Sequence, residues 1–182
     1  KKDRADLLWG LKHQVDLIAL SFVRKAEDIT QLKHIIAKTQ PSYTPLVIAK
    51  IEKPEAVTFM DDIIKASDGI LIARGDLGIE FLPEKVPVVQ KTLIEHCRAL
   101  KKPVIVATQM LDSMRLNPIP TRAEVSDVAS AIYAGTDAVL LTGETSSGKF
   151  PIAATQMMAK IITEVEDHLI QKNFRKTPSD FG

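Results

Sequence analysis

Five short apolar runs punctuate the chain: VDLIALSF (15–22), PLVIAKIE (45–52), DGILIARGD (68–76), KPVIVATQ (102–109) and TDAVLLTGE (136–144). Each is rich in Val, Ile and Leu and shows little alternation, the pattern of strands buried on both faces of a parallel sheet. Between them the period changes to that of amphipathic helices. Val89, Leu93, Cys97 and Leu100 make one apolar stripe; Ile152, Met157, Ile161, Val165 and Leu169 make another. PTRAEVSDVASAIYAG (120–135) has both helix ends marked. Thr121 and Glu124 form a capping-box pair after Pro120, and Gly135 suits a left-handed stop. KKDRADLLWGLKH (1–13) reads as a helix already under way.

Strand–helix alternation of this kind predicts an α/β fold with a parallel sheet and right-handed crossovers. An open doubly wound sheet and a (β/α)₈ barrel are the two candidates, and both put function at the carboxyl ends of the strands. No G-x-G-x-x-G follows any strand, which weighs against a dinucleotide fold. A whole barrel needs eight units and roughly 250 residues. Five units in 182 residues match five-eighths of one, as expected of an excerpt from a longer protein.

Composition narrows the partners. The net charge is +1 and the basic residues are dispersed, which argues against nucleic acid. The single cysteine, Cys97, can form neither an internal disulfide nor a cysteine zinc cage and suits a reducing cytoplasm. No apolar run is long enough to span a membrane as a helix, and the first residues lack a signal-peptide pattern. His13, His34, His96 and His168 are scattered on helical stretches without ligand spacing and read as helix-face residues.

The strand ends carry the candidate chemistry: Ser21; Lys50 and Glu52; Arg74 and Asp76; Thr108 and Gln109; Thr142 and Glu144. Lys50 lies inside its apolar run. Alternation puts it on the same face as Glu52, roughly 6.6 Å along the strand. A lysine there needs a carboxylate or an anionic ligand. An ion pair with Glu52 or Asp76 would satisfy it structurally. Functionally it would neutralise a phosphate beside two carboxylates, Glu52 and Asp76, that suit Mg²⁺. Gly75 in ARGDLG lets backbone approach a ligand, and a helical turn starting there would offer N–H groups to an anion. The Thr108 hydroxyl either packs on backbone or relays a proton. LLTGETSSGKF (140–150) has the G-x-x-x-x-G-K spacing of a phosphate loop, but Phe150 stands where Ser or Thr should hold Mg²⁺.

Six stretches together resemble the pyruvate kinase family: ALSFVR, AKIEKPEAV, ASDGILIARGDLGIE, KPVIVATQMLDSM, PTRAEVSDVA and GTDAVLLTGETSSGKFP. They cover most of residues 15–155 in the family's order. The resemblance implies strands four to eight of a (β/α)₈ TIM barrel over residues 1–170, with 171–182 a linker toward a C-terminal domain. It implies phosphoryl transfer from phosphoenolpyruvate to ADP in glycolysis, giving pyruvate and ATP. Lys50 then matches the lysine on the transferring phosphoryl group. Glu52 and Asp76 match the ligands of Mg²⁺ or Mn²⁺. Gly75 and Asp76 match the cradle of the substrate carboxylate. Thr108 matches the threonine beside the enolate carbon. Thr142, where serine is common, and Glu144 match residues associated with the proton path.

Arg122 lies on a helix that sits near a subunit interface in the family, whose members form homotetramers. The family's K⁺ ligands, its arginine-bearing first strands and its lid domain fall outside these residues. The segment alone is therefore expected to show no useful turnover, and its open sheet edges to favour association. Two other readings stand beside this one. The first is a metal-dependent, aldolase-like enolate barrel with Lys50 as a Schiff-base lysine. The second is a non-catalytic scaffold segment.

Overall fold

A computed structural model describes residues 2–39 and 43–174. Each of the five apolar runs forms a strand, and helices alternate with them, so the chain is α/β as its pattern predicts. It divides into two compact units, Lys1–Val106 and Ala107–Gly182.

The first unit runs α1 (Lys2–Lys12), β1 (Leu17–Leu20), α2 (Ala26–Thr39), β2 (Leu46–Ile51), α3 (Pro54–Thr58), α4 (Met60–Ala66), β3 (Gly69–Ala73), α5 (Arg74–Glu80), a 3-10 turn (Pro83–Lys85), α6 (Val86–Ala99) and β4 (Val104–Ala107), whose last residue opens the second unit. These strands lie in sequential order, β1-β2-β3-β4. The β1–β2 and β2–β3 pairs are parallel, with Leu17 opposite Leu46 and Ile48 opposite Gly69. A β-carbon on Gly69 would lie 2.9 Å from Ile48 Cδ1 and 3.2 Å from the Pro103 carbonyl oxygen, so a larger residue at this strand start would have to displace the Ile48 side chain and press on the Pro103 backbone.

The core sits on both faces of the central strands. Val47, Ala49 and Ile51 of β2 and Ile70 and Ile72 of β3 are completely buried. Helix α2 packs Ile29, Leu32 and Ile36 toward β2 and α4, and α6 packs Leu93, Ile94 and Cys97 toward β3. At the amino ends of the strands, Asp68 locks β2 to β3. Its carboxylate accepts from the Val47 N–H and from Lys33 Nζ, each at 2.8 Å, while its own N–H donates to the Val47 carbonyl. Burial pushes the Asp68 carboxyl up; the Lys33 and Val47 donors outweigh it and hold it below the usual aspartate value.

The second unit holds a 3-10 turn (Asp112–Arg115), α7 (Arg122–Ala134), β5 (Ala138–Leu140), α8 (Gly143–Ser146) and α9 (Pro151–Phe174). The capping box on α7 forms with Thr121 and Glu124 as expected, and Gly135 ends the helix at φ 93°. Helix α9 runs to Phe174, four residues into the stretch assigned as linker; the remainder of that stretch lies outside the described residues.

Two expectations are corrected. Burial on both strand faces holds for β2, β3 and β4 but not for β1 or β5. Leu17 and Leu140 are exposed. For β1 the reason is position: it is the edge strand of its unit. The buried stripe of α9 is Ala154, Met158, Ile161 and Val165, whereas Ile152 is 73% exposed and Met157 only half-buried. On α6 the stripe keeps Leu93 and Cys97 and adds Ile94, with Val89 and Leu100 at its margins.

Candidate active site

Parallel strands bring their carboxyl ends to one edge, so Ser21 after β1, Glu52 after β2 and Arg74 after β3 gather in the first unit. Alternation along β2 puts Lys50 and Glu52 on one face, as the sequence implied. Lys50 Nζ lies 2.8 Å from Glu52 Oε1 and donates to Ser21 Oγ at 3.0 Å. The ion pair that would satisfy Lys50 structurally is therefore formed. Glu52 is 1% exposed, while the Lys50 side chain keeps 26% of its surface in solvent. The second Glu52 oxygen, Oε2, accepts the main-chain N–H of Phe22 at 2.7 Å.

Asp76 is the third residue of α5 and is half-buried; Gly75 beside it is likewise half-buried. The helical turn expected at this strand end does start at Arg74. Arg74 is buried and turns its guanidinium toward Gln90 Oε1, 3.4 Å away. Lys53, next to Glu52, pairs with Glu80 and holds its ammonium 5.7 Å from the centre of the Phe22 ring.

The second unit carries the remaining candidates. Thr108 follows β4 with φ 70°, and Gln109 follows with φ 52°. Two successive non-glycine residues in the left-handed region are rare, and a β-branched residue there is an outlier of the kind that clusters at functional sites. The Thr108 hydroxyl donates to the Ala107 carbonyl at 2.6 Å, which satisfies the hydroxyl on backbone. Glu144, in the first turn of α8, is 1% exposed. Its Oε1 accepts from the Leu111 N–H at 3.1 Å and its Oε2 from the Thr142 N–H at 2.9 Å. The Thr142 hydroxyl lies 3.5 Å from the same Oε2. Thr142 and Glu144 are thus one hydrogen-bonded group, and Glu144 also anchors the turn that follows Thr108 and Gln109.

Within each unit the structure joins Lys50 to Glu52 and Thr142 to Glu144. Phe22 and Leu111 escaped the sequence reading because they act through main-chain N–H groups, which no residue type advertises. His13, in the turn after α1, and His34 are exposed; His13 stacks on Trp9, His96 Nδ1 lies 2.6 Å from Asp61 Oδ1, and His168 meets Tyr133 edge-on. Among the described residues no cluster of three or more His, Cys, Asp or Glu could by itself cage a metal. No helix among them is long and apolar enough to cross a membrane.

Parallel strand–helix units with charged groups at the strands' carboxyl ends define an α/β protein of the open-sheet or barrel class. The chain belongs to the pyruvate kinase family: residues 1–155 match the model of the pyruvate kinase barrel domain. It is 50% identical over 169 residues to a pyruvate kinase of Geobacillus stearothermophilus, covering 93% of this chain and 29% of that protein. A pyruvate kinase of Agrobacterium vitis is 53% identical over 167 residues, covering 92% and 34%. The crystal structure of a pyruvate kinase from Cryptosporidium parvum superposes with a TM-score of 0.88 at 43% identity, covering 92% of this chain and 35% of that one. The chain thus spans about a third of the length of the curated relatives it matches.

Proposed function

We propose that the full-length protein carrying this chain transfers the phosphoryl group of phosphoenolpyruvate to ADP and protonates the resulting enolate to pyruvate. The observation that carries the reading is the Lys50–Glu52 pair at the carboxyl end of buried strand β2, in a chain of this family. Phosphoryl transfer asks for positioning and charge neutralisation rather than covalent help. Lys50 supplies a partly exposed ammonium whose direction is already set by Glu52 and Ser21. It neutralises charge on the moving phosphoryl group.

Glu52 and Asp76 are the residues that would hold Mg²⁺ or Mn²⁺. The donor set fits: such ions take one or two carboxylates and complete their shell with water and substrate oxygens. Each Glu52 oxygen has one protein partner, and a carboxylate oxygen has capacity for a second. When bound, the ion supplies further neutralisation of phosphoryl and enolate oxygens. The backbone at Gly75 and Asp76 receives the substrate carboxylate. Thr108 stands beside the enolate carbon and takes part in delivering its proton, with Thr142 and Glu144 completing that path. The K⁺ ligands and much of the ADP contact belong to parts outside this chain. Residues 1–170 form the carboxyl-terminal part of the barrel, and 171–182 lead toward a further domain. The assembly is a cytoplasmic homotetramer.

The test is Lys50→Ala in the full-length protein, in a coupled phosphoenolpyruvate–ADP assay. Loss of turnover by about a hundredfold or more is expected, the scale on which single charge-stabilising groups act. Borohydride should trap no carbonyl substrate on Lys50. Retained turnover, or trapping, would overturn the proposal.

A further inference from the structure

Phe22 has a backbone conformation its side chain does not explain. It sits at φ 56°, in the left-handed region that disfavours any residue with a β-carbon. The residue is 58% exposed, so burial does not repay the conformation. The turn aims the main chain inward: the Phe22 N–H meets Glu52 Oε2 at 2.7 Å. The acceptor is an ionised group with only 1% of its surface exposed, and such charge-assisted bonds are among the strong ones.

The bond has a geometric consequence. The terminal torsion of a glutamate is soft and nearly two-fold. A single donor on Oε1 would leave the carboxylate free to swing about that contact. Lys50 holds Oε1 and Phe22 holds Oε2, so the plane of the group is fixed from both sides. Lys53, paired with Glu80, lies over the exposed Phe22 ring and restrains the turn from outside.

We propose that Phe22 is a positioning residue for the Glu52 carboxylate, acting through its main-chain N–H and the left-handed turn that aims it, and that the metal affinity of the site depends on that turn. This rests on the reading of Glu52 as a metal ligand. Groups that orient a ligating carboxylate typically change metal affinity ten- to a hundredfold when lost.

The experiment is Mn²⁺ binding to the full-length protein without substrate, measured from the paramagnetic resonance signal of free Mn²⁺. Phe22→Gly and Phe22→Asn keep the N–H and tolerate positive φ, so their affinity should stay within about twofold of wild type. Phe22→Val resists positive φ and should bind about tenfold more weakly or worse. If Phe22→Val does not fold, Phe22→Thr makes the same comparison, since its β-branch resists positive φ in the same way and its hydroxyl suits an exposed position; weaker binding by Thr than by Gly supports the proposal. A valine variant that binds like wild type overturns it, as does a glycine variant as weak as valine, or a threonine variant equal to glycine. Glu52→Gln separates the two layers. Unchanged Mn²⁺ affinity in that variant sinks the metal-site reading and this proposal with it. A weakened Glu52→Gln beside a wild-type-like Phe22→Val sinks the Phe22 assignment alone.

Discussion

Glu124→Gln is a sharp test of how the second unit is held. The Glu124 carboxylate takes four donors: the Ser113 N–H at 2.7 Å on Oε1, and on Oε2 the Ser113 hydroxyl at 2.5 Å, the Thr121 N–H at 2.8 Å and the Thr121 hydroxyl at 2.9 Å. It therefore closes the capping box of α7 and ties the Asp112–Arg115 turn to that helix. Glutamine keeps the size but has one acceptor oxygen. The two hydroxyls can turn and accept from the new amide, but the two main-chain N–H groups cannot, so one is left facing a donor. An orphaned buried N–H costs about 1–3 kcal/mol. Glu124 is only half-buried and water reaches it, so ~1–2 kcal/mol is expected, or about 2–8 °C in melting temperature for a chain of this size.

The pH dependence has a definite sign. Burial raises the Glu124 carboxyl, but the Ser113 and Thr121 donors outweigh it and hold it below the usual glutamate value. A depressed folded value means the contribution is complete above the unfolded pKa of about 4.3 and is lost as pH falls through the folded one. The stability gap between wild type and Glu124→Gln should thus be full at pH 7 and shrink below about pH 4. Denaturant melts of both proteins across that range would measure it. No gap at pH 7, or an undiminished gap in acid, would refute the reasoning.

Two further outcomes concern the stretch between Thr142 and Phe150. A β-carbon on Gly148 would press inside van der Waals contact of the Glu144 carbonyl oxygen and lie 3.2 Å from Arg115 Cα, so Gly148→Ala should destabilise by about 1–3 kcal/mol in a denaturant melt. Lys149→Ala should leave kcat of the full-length enzyme within about twofold, because Lys149 has an exposed side chain, whereas Glu144→Ala should lower it by about tenfold or more, since a buried carboxylate bonded to Thr142 and Leu111 is lost. Equal effects from the two variants would show that the sequence divides this stretch wrongly.

Strand positions were legible because a strand covered on both faces must be apolar throughout, and β2 and β3 meet that condition. The same reasoning overreached at β1 and β5, since an apolar run reports residue type and not how many neighbours the strand finds. The α9 stripe slipped for a related cause: alanine at 154 and methionine at 158 turn inward, while larger Ile152 stays outside. Lys50 and Glu52 could be paired because strand alternation has only two answers. The α7 cap could be read because Thr and Glu three apart are specific. That Glu124 also serves Ser113 could not, because the second partner lies eleven residues away in a turn that sequence does not aim. Nor does any residue type signal that Phe22, Thr108 and Gln109 take positive φ.

The glycine-rich stretch separates spacing from function most clearly. A phosphate loop works because successive main-chain N–H groups point together into open space and cradle an anion. Here those groups are committed to carbonyls. The Thr145 and Ser146 N–H groups both donate to Thr142, that of Ser147 donates to Gly143, and that of Lys149 donates to Arg115 at 2.8 Å. The glycines serve packing instead. At Gly143 a β-carbon would lie 3.0 Å from the Arg115 Nε, and at Gly148 it would strike the Glu144 backbone. Phe150 precedes α9, its carbonyl accepting the Ala154 N–H, and its side chain has no oxygen to offer a cation. The glycines of this G-x-x-x-x-G-K spacing stand where a tight strand–turn–helix corner brings backbone and Arg115 close. What the corner holds in place is the buried Glu144 carboxylate with its Thr142 and Leu111 donors.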